Sequence, residues 1–250
     1  MGILPLELWD VDWKMKKPAP SSQRSPSEEK QPEAEPDSVG GRLADQPHMA
    51  TQIPCRGWVH ARVRSTPRLL SQAPRSVRAV FDHGWAPVQA LSTQACLLPA
   101  RLWDHVLSCT GGFAVICLGE SCYLPGPATV RGQTVYNVAF VSVEDLAHDN
   151  DRPLHVIGHL IDHYVGCGGD PEGPWLTGGG GVTPAWRQAG NRLAGLYPLG
   201  YGIDDTACSN TRDYFAQSLA IYCRDRQRLN VADPQICRWL RDTLFDERFW

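Results

Sequence analysis

A chain of 250 residues that is 42% hydrophobic has the length and apolar content for one sizeable core plus tails. Its net charge of -3 and pI near 6.2 offer no general attraction to nucleic acid or to an anionic membrane. No apolar run reaches bilayer length, and apolar, acidic and basic residues follow one another in the wrong order for a secretory signal, so the expected location is cytoplasmic. The nine cysteines form no C-x-x-C pair. That leaves a cysteine zinc site or a thioredoxin-like motif without support and makes free, mostly buried thiols the expectation.

Residues 1–55 read as a flexible leader. From Lys14 to Ala50, six basic and six acidic residues are spread among Pro, Ser and Gln, a composition that cannot bury enough apolar surface to offset its ordering entropy. The short MGILPLELWDVDW ahead of it is apolar enough to dock as a peptide, on this domain or a partner, but a frayed terminus is the favoured reading. Residues 56–95 form an arginine-rich segment expected to pack on the main domain. Its six arginines from Arg56 to Arg78 occur without an acid and read as a solvated face, with WVHARVR alternating like a short strand before a helix.

Residues 96–250 form the main domain. LLPARLWDHVLSCTGG predicts a helix with Pro99 in its first turn, Leu102, Val106 and Leu107 on its apolar stripe, and Gly111-Gly112 as its stop. FAVICLGE predicts a buried strand and QTVYNVAFVSV a second one. SCYLPGPATVRG between them reads as a turn-rich connection, and EDLAHDNDRP as a break. Pro153 opens the next helix, LHVIGHLIDHYVG, which carries His155, His159 and His163. The glycine-rich stretch 166–184 has no phosphate-loop pattern and reads as a mobile loop bordering a cleft, or as a plain linker. PAWRQAGNRLAGLYPLG predicts a short helix, YGIDDTACSNT an irregular stretch, and RDYFAQSLAIYCRDRQRL a long helix. DPQICRWLRDTLFDERFW closes the chain as a helix with Asp233 as N-cap, Pro234 at its first position, and Ile236, Trp239, Leu240 and Leu244 facing the core. The sum is an α+β fold: a small β-sheet, a histidine-bearing helix and a C-terminal helical subdomain.

On a helix, positions i and i+4 share a face, so His155 and His159 can close on one metal ion from the same side. Their spacing is that of H-E-x-x-H, in which two histidines bind zinc and the Glu is the general base. Here Val156 occupies the Glu position. His163 lies a further 40° or so round a 3.6-residue helix and reads as a capping or surface residue. A metal-free reading stays open, because the Val, Ile and Leu around these histidines also suit an ordinary buried helix.

HVIGHLID (155–162) followed later by DYFAQ (213–217) resembles the paired motifs of the C-terminal catalytic domain of anthrax lethal factor and its relatives, including the Pro-Pro endopeptidases. Those are zincins with H-E-x-G-H on one helix and E-F-F-A-E on a later one. The resemblance covers roughly residues 96–250 and implies a zincin-like fold with one zinc ion held by His155, His159 and Asp213. Asp213 stands where the family has Glu, one methylene longer, so its helix would have to sit closer or the site would be looser. Gln217 would hydrogen-bond a ligand. The family's oxyanion-stabilising Tyr falls at Thr206, with Tyr201 the nearest alternative. General-base catalysis contributes typically about 100- to 10,000-fold and an oxyanion donor roughly 100- to 1,000-fold, so no catalytic residue is assigned. Asp162, His163, Glu144 and Asp205 are substitute bases by neighbourhood only. The expectation is a pseudopeptidase that binds zinc and a peptide or protein partner, with no nucleic acid and no membrane. An active metalloendopeptidase with a displaced base and a metal-free α+β binding protein are the alternatives.

Overall fold

The computed structural model describes residues 53–130, 132–199, 203, 207 and 209–250. The expected leader up to residue 52 lies outside them, as do Thr206, Tyr201 and Asp205. Ile53 to Cys55 are not leader but the first turn of a helix, α1 (Ile53–Arg62). The alternation in WVHARVR is therefore helical for most of its length, and only Val63–Ser65 form strand β1. Cys55, Trp58 and Val59 are the buried side of α1, at the three- and four-residue spacing of a helix face.

Three short helices follow: α2 (Leu69–Gln72), α3 (Arg75–Val80) and α4 (Ala86–Ala95). A disulfide joins Cys55 on α1 to Cys96 at the end of α4, with Cα atoms 5.5 Å apart. It corrects the expectation of free thiols for this pair; Cys109, Cys117, Cys122, Cys167, Cys223 and Cys237 are unpaired. Helix α5 (Ala100–Ser108) runs beside α1, where Trp58 stacks on Trp103 with ring centroids 4.1 Å apart. Arg62 reaches the carbonyls of Gly111 and Cys109 just past the end of α5. A cation there suits both the orphan carbonyls and the helix dipole.

Strand β2 (Phe113–Cys117), β3 (Cys122–Val130) and β4 (Gln133–Ser142) join β1 in a sheet of order β1-β2-β4-β3. The first three strands of that order are parallel and β3 pairs antiparallel with β4 at the edge. The turn-rich reading of SCYLPGPATVRG is thus corrected to a strand. Its prolines are accommodated because β3 is an edge strand with an irregularity between Leu124 and Pro127, the places where a missing N–H costs no ladder bond. Opposite lies Asn137, buried and with positive φ of 57°. Its Oδ1 accepts from Gly126 N, and its Nδ2 donates to the Gly169 carbonyl and to the Tyr164 hydroxyl.

The expected break after β4 is a short helix, α6 (Val143–Ala147), capped by the Ser142 hydroxyl. Helix α7 (Arg152–Cys167) then crosses the sheet with Pro153 in its first turn, and nearly every residue from Pro153 to Gly166 is buried. The stretch after it is packed rather than loose. Trp175, Leu176 and Thr177 are buried, and Gly166 lets the backbone at Trp175 and Leu176 press directly on α7, where any Cβ would collide with main-chain atoms. Helices α8 (Pro184–Ala194), α9 (Thr211–Arg224), α10 (Arg226–Ala232) and α11 (Pro234–Asp242) complete the fold. The single helix expected over α9 and α10 is broken at Asp225, which caps α10 through Arg228 N. The result is an α+β protein. No helix among the described residues is long and apolar enough to cross a membrane.

Candidate metal centre

The site is made where α7 and α9 cross. Gly158 on α7 faces Ala216 on α9 so closely that a Cβ at Gly158 would lie 2.8 Å from Ala216 Cα and 3.0 Å from its Cβ. Asp is shorter than Glu by one carbon–carbon bond, about 1.5 Å. The close crossing brings that shorter side chain into range.

Asp213 lies in the first turn of α9, where a negative charge meets the positive end of the helix dipole. Asn210 caps the helix. Its Oδ1 accepts from Arg212 N and Asp213 N, both at 3.0 Å, and its Nδ2 donates to Asp213 Oδ2 at 2.5 Å. That bond turns the other carboxylate oxygen toward α7. Asp213 Oδ1 stands 3.2 Å from His159 Nε2 and 3.6 Å from His155 Nε2, and the two Nε2 atoms are 3.1 Å apart. On the far side of His155, Nδ1–H donates to Gln217 Oε1 at 3.0 Å. This leaves Nε2 unprotonated with its lone pair directed into the triangle, the arrangement of a metal-binding histidine.

Tetrahedral zinc with ligand bonds of about 2.0–2.1 Å needs donor atoms about 3.3–3.4 Å apart, and the three separations bracket that value. Among the described residues this is the one cluster of three or more His, Cys, Asp or Glu donors able to hold a metal ion. The electrostatics agree with a ligand set. Burial holds His159 below its ordinary pKa, against the pull of Asp213. Burial would raise the Asp213 carboxyl, but hydrogen bonds and charge from the two imidazoles overcome it and hold the group well below the usual carboxylate range. A depressed pKa at His159 and an ionised carboxylate at Asp213 both favour metal binding. The side chain of His155 is 4% exposed, His159 15% and Asp213 25%, so the cluster opens to solvent on one side.

The other sequence candidates are placed elsewhere or already engaged. Val156 is buried in the apolar core. His163 is not a surface residue: its Nε2–H donates to the Asp170 carbonyl at 2.8 Å, and its Nδ1 accepts from the Tyr123 hydroxyl at 2.7 Å. Both ring nitrogens are used, and burial holds its pKa low. Asp162 is fully buried and accepts from the backbone N and the hydroxyl of Thr177, both at 2.8 Å. Burial raises its pKa to about 7. Glu144 is exposed on α6. Asp205 and the position expected for the oxyanion donor, Thr206, are outside the described residues.

Sequence reasoning missed three neighbours of the site. Asn210 carried a usable signal, since Asn just before a helix is a preferred N-cap. Trp175 carried none. Its ring stacks on His163 at 4.8 Å, meets the edge of Tyr123 at 5.7 Å and lies 6.5 Å from His159. Arg212 lies over the same ring, its guanidinium carbon 3.8 Å from the centroid. The chain matches no protein-family model, no curated protein and no solved structure.

Proposed function

We propose that this chain is a zincin-like pseudopeptidase, a protein that holds one zinc ion with His155, His159 and Asp213 and binds a peptide or protein partner without cleaving it. The observation that carries the reading is the size of the donor triangle. Three separations of 3.1, 3.2 and 3.6 Å match a tetrahedral ion, with Gln217 and Asn210 orienting two of the three ligands from behind. Partial exposure leaves the fourth position accessible, as in an open rather than a closed zinc site.

Zinc in this place would supply a Lewis acid. The chain's own residues do less than a peptidase requires. Val156 accepts no proton, Asp162 is committed to Thr177, and His163 is committed to Tyr123 and Asp170. Among the described residues the edge strand β3 has one side without a partner strand in the sheet, which suits an added peptide strand.

Purified protein loaded with Zn²⁺ is expected to hold one ion per chain and to lose it on His159→Ala or Asp213→Ala. A peptide library is expected to stay intact. Failure to hold stoichiometric zinc would overturn the metal assignment. Cleavage by the unmodified chain that a chelator abolishes would overturn the pseudopeptidase assignment.

A further inference from the structure

Arg212 sits one residue before the carboxylate ligand, exposed to solvent. Among the described residues no carboxylate pairs with it. Its guanidinium is instead held against Trp175, 3.8 Å from the ring centroid, a distance at which the cation lies nearly flat on the indole. His163 stacks on the same ring with planes 20° apart, so the indole carries both an imidazole and a cation against it. Flat stacking uses the face of the guanidinium and leaves its N–H edges free, and those edges are the part that matches a carboxylate two bonds at a time.

The same ring is 6.5 Å from His159, which places the guanidinium within roughly 10 Å of that ligand, about one Debye length at 0.1 M salt. Its charge is felt at His159, at Asp162 and at His163. A divalent ion with two neutral imidazoles and one carboxylate keeps a net positive charge. Arg212 adds a second positive charge within roughly 10 Å of His159, and among the described residues no free general base stands at the cluster to turn a bound water into a nucleophile. A site of that charge, without proton chemistry, favours a stable anionic ligand.

We propose that the open metal position and the Arg212 guanidinium together form a binding site for a carboxylate, supplied by a peptide's C-terminus or by an acidic side chain. The proposal rests on the metal reading above and names the ligand class of the same site. A metal held by His155, His159 and Asp213 would take one carboxylate oxygen, and Arg212 would offer N–H donors to the same ligand.

The test uses the full chain loaded with Co²⁺, whose visible absorption reports both metal binding and entry of a new ligand. Acetate, inorganic phosphate, an N-acetylated dipeptide with a free C-terminus, and an amidated dipeptide carrying Glu are titrated into wild type, Arg212→Gln and Arg212→Lys. Cobalt is expected to bind all three proteins with affinities within about threefold, because Arg212 is no ligand. The carboxylates are expected to perturb the wild-type spectrum saturably and to bind roughly 10- to 100-fold more weakly to Arg212→Gln. Arg212→Lys is expected to fall between, since it keeps the charge and loses the fork. Tighter binding of the free C-terminus or of the Glu peptide tells which source is meant. Carboxylate affinity equal in wild type and Arg212→Gln, or phosphate binding tighter than either peptide, would overturn the proposal while leaving the metal site standing. Absence of cobalt binding in wild type would overturn both.

Discussion

Replacing Gly158 by Ala tests how the two helices make the site. In an ordinary exposed helix this change gains about 1 kcal/mol of helix propensity. Here the new Cβ would lie 2.8 Å from Ala216 Cα, where ordinary contact begins near 3.4 Å. Both atoms belong to helix backbones or are bonded to them, so no side-chain rotation relieves the contact, and α9 must retreat by about 0.6 Å. Overpacking of this kind costs about 1–3 kcal/mol, which leaves a net destabilisation of roughly 0–2 kcal/mol and a protein that still folds. The metal site is less tolerant. Asp213 lies within one turn of Ala216, so its separations of 3.2 and 3.6 Å from the imidazoles grow to about 3.8 and 4.2 Å. Metal–ligand distances tolerate only about 0.2 Å. Zinc affinity, measured by competition with a chromophoric chelator, is expected to fall by at least about 100-fold, with thermal unfolding showing only a small shift. A Gly158→Ala protein that is folded and binds zinc like wild type would refute the link between the close crossing and the third ligand.

Asn210→Ala removes a helix cap and the bond that orients Asp213; stability is expected to drop by about 1 kcal/mol and zinc affinity by roughly 10- to 100-fold, read by denaturant unfolding and chelator competition. His163→Ala is expected to lose roughly 2–3 kcal/mol of stability with its two hydrogen bonds and Trp175 stack yet to keep one zinc per chain; loss of the metal would make it a ligand after all. Asp162 has its pKa raised by burial from 3.8 to about 7, so its contribution to stability is full below pH 3.8 and is lost as pH rises through about 7. Asp162→Asn, neutral throughout, is expected to gain on wild type over that window by up to about 4 kcal/mol, and parallel stability curves from pH 4 to 8 would contradict this. Alkylation of the unfolded chain before reduction should leave Cys55 and Cys96 unlabelled; their labelling would remove the disulfide.

The parts of the site legible in the sequence are those set by local periodicity. His155 and His159 share a helix face because four residues make slightly more than one turn, and Asp213 opens a helix because Asn210 precedes it. What the sequence left open was whether the two helices come close enough for an aspartate, and that is decided by Gly158 against Ala216, a contact between residues 58 positions apart. Strand β3 was hidden by Pro125 and Pro127, since an edge strand and its bulge tolerate prolines that a central strand does not. Helix α1 is masked in the sequence because WVHARVR alternates by chance, while Cys55, Trp58 and Val59 follow the helical spacing. The pairing of Cys55 with Cys96 is tertiary, and cysteine positions alone do not encode it. The glycines after α7 resemble a linker in composition, and only the backbone pressed against Gly166 shows that they are there for close contact.

The two halves of the metal centre are held with unequal firmness. Helix α7 is gripped from several sides: Tyr123 of β3 at His163, Thr177 at Asp162, and both Asn137 and the Thr110 carbonyl at Tyr164. Asp213 hangs from the first turn of α9 with the Asn210 side chain as its brace. An ion taken up there would meet two imidazoles fixed by a well-braced helix, and a carboxylate held by a single side-chain brace. Were a metal bound, its release would be expected to depend more on the opening of that helix end than on the histidines that the sequence displays most plainly.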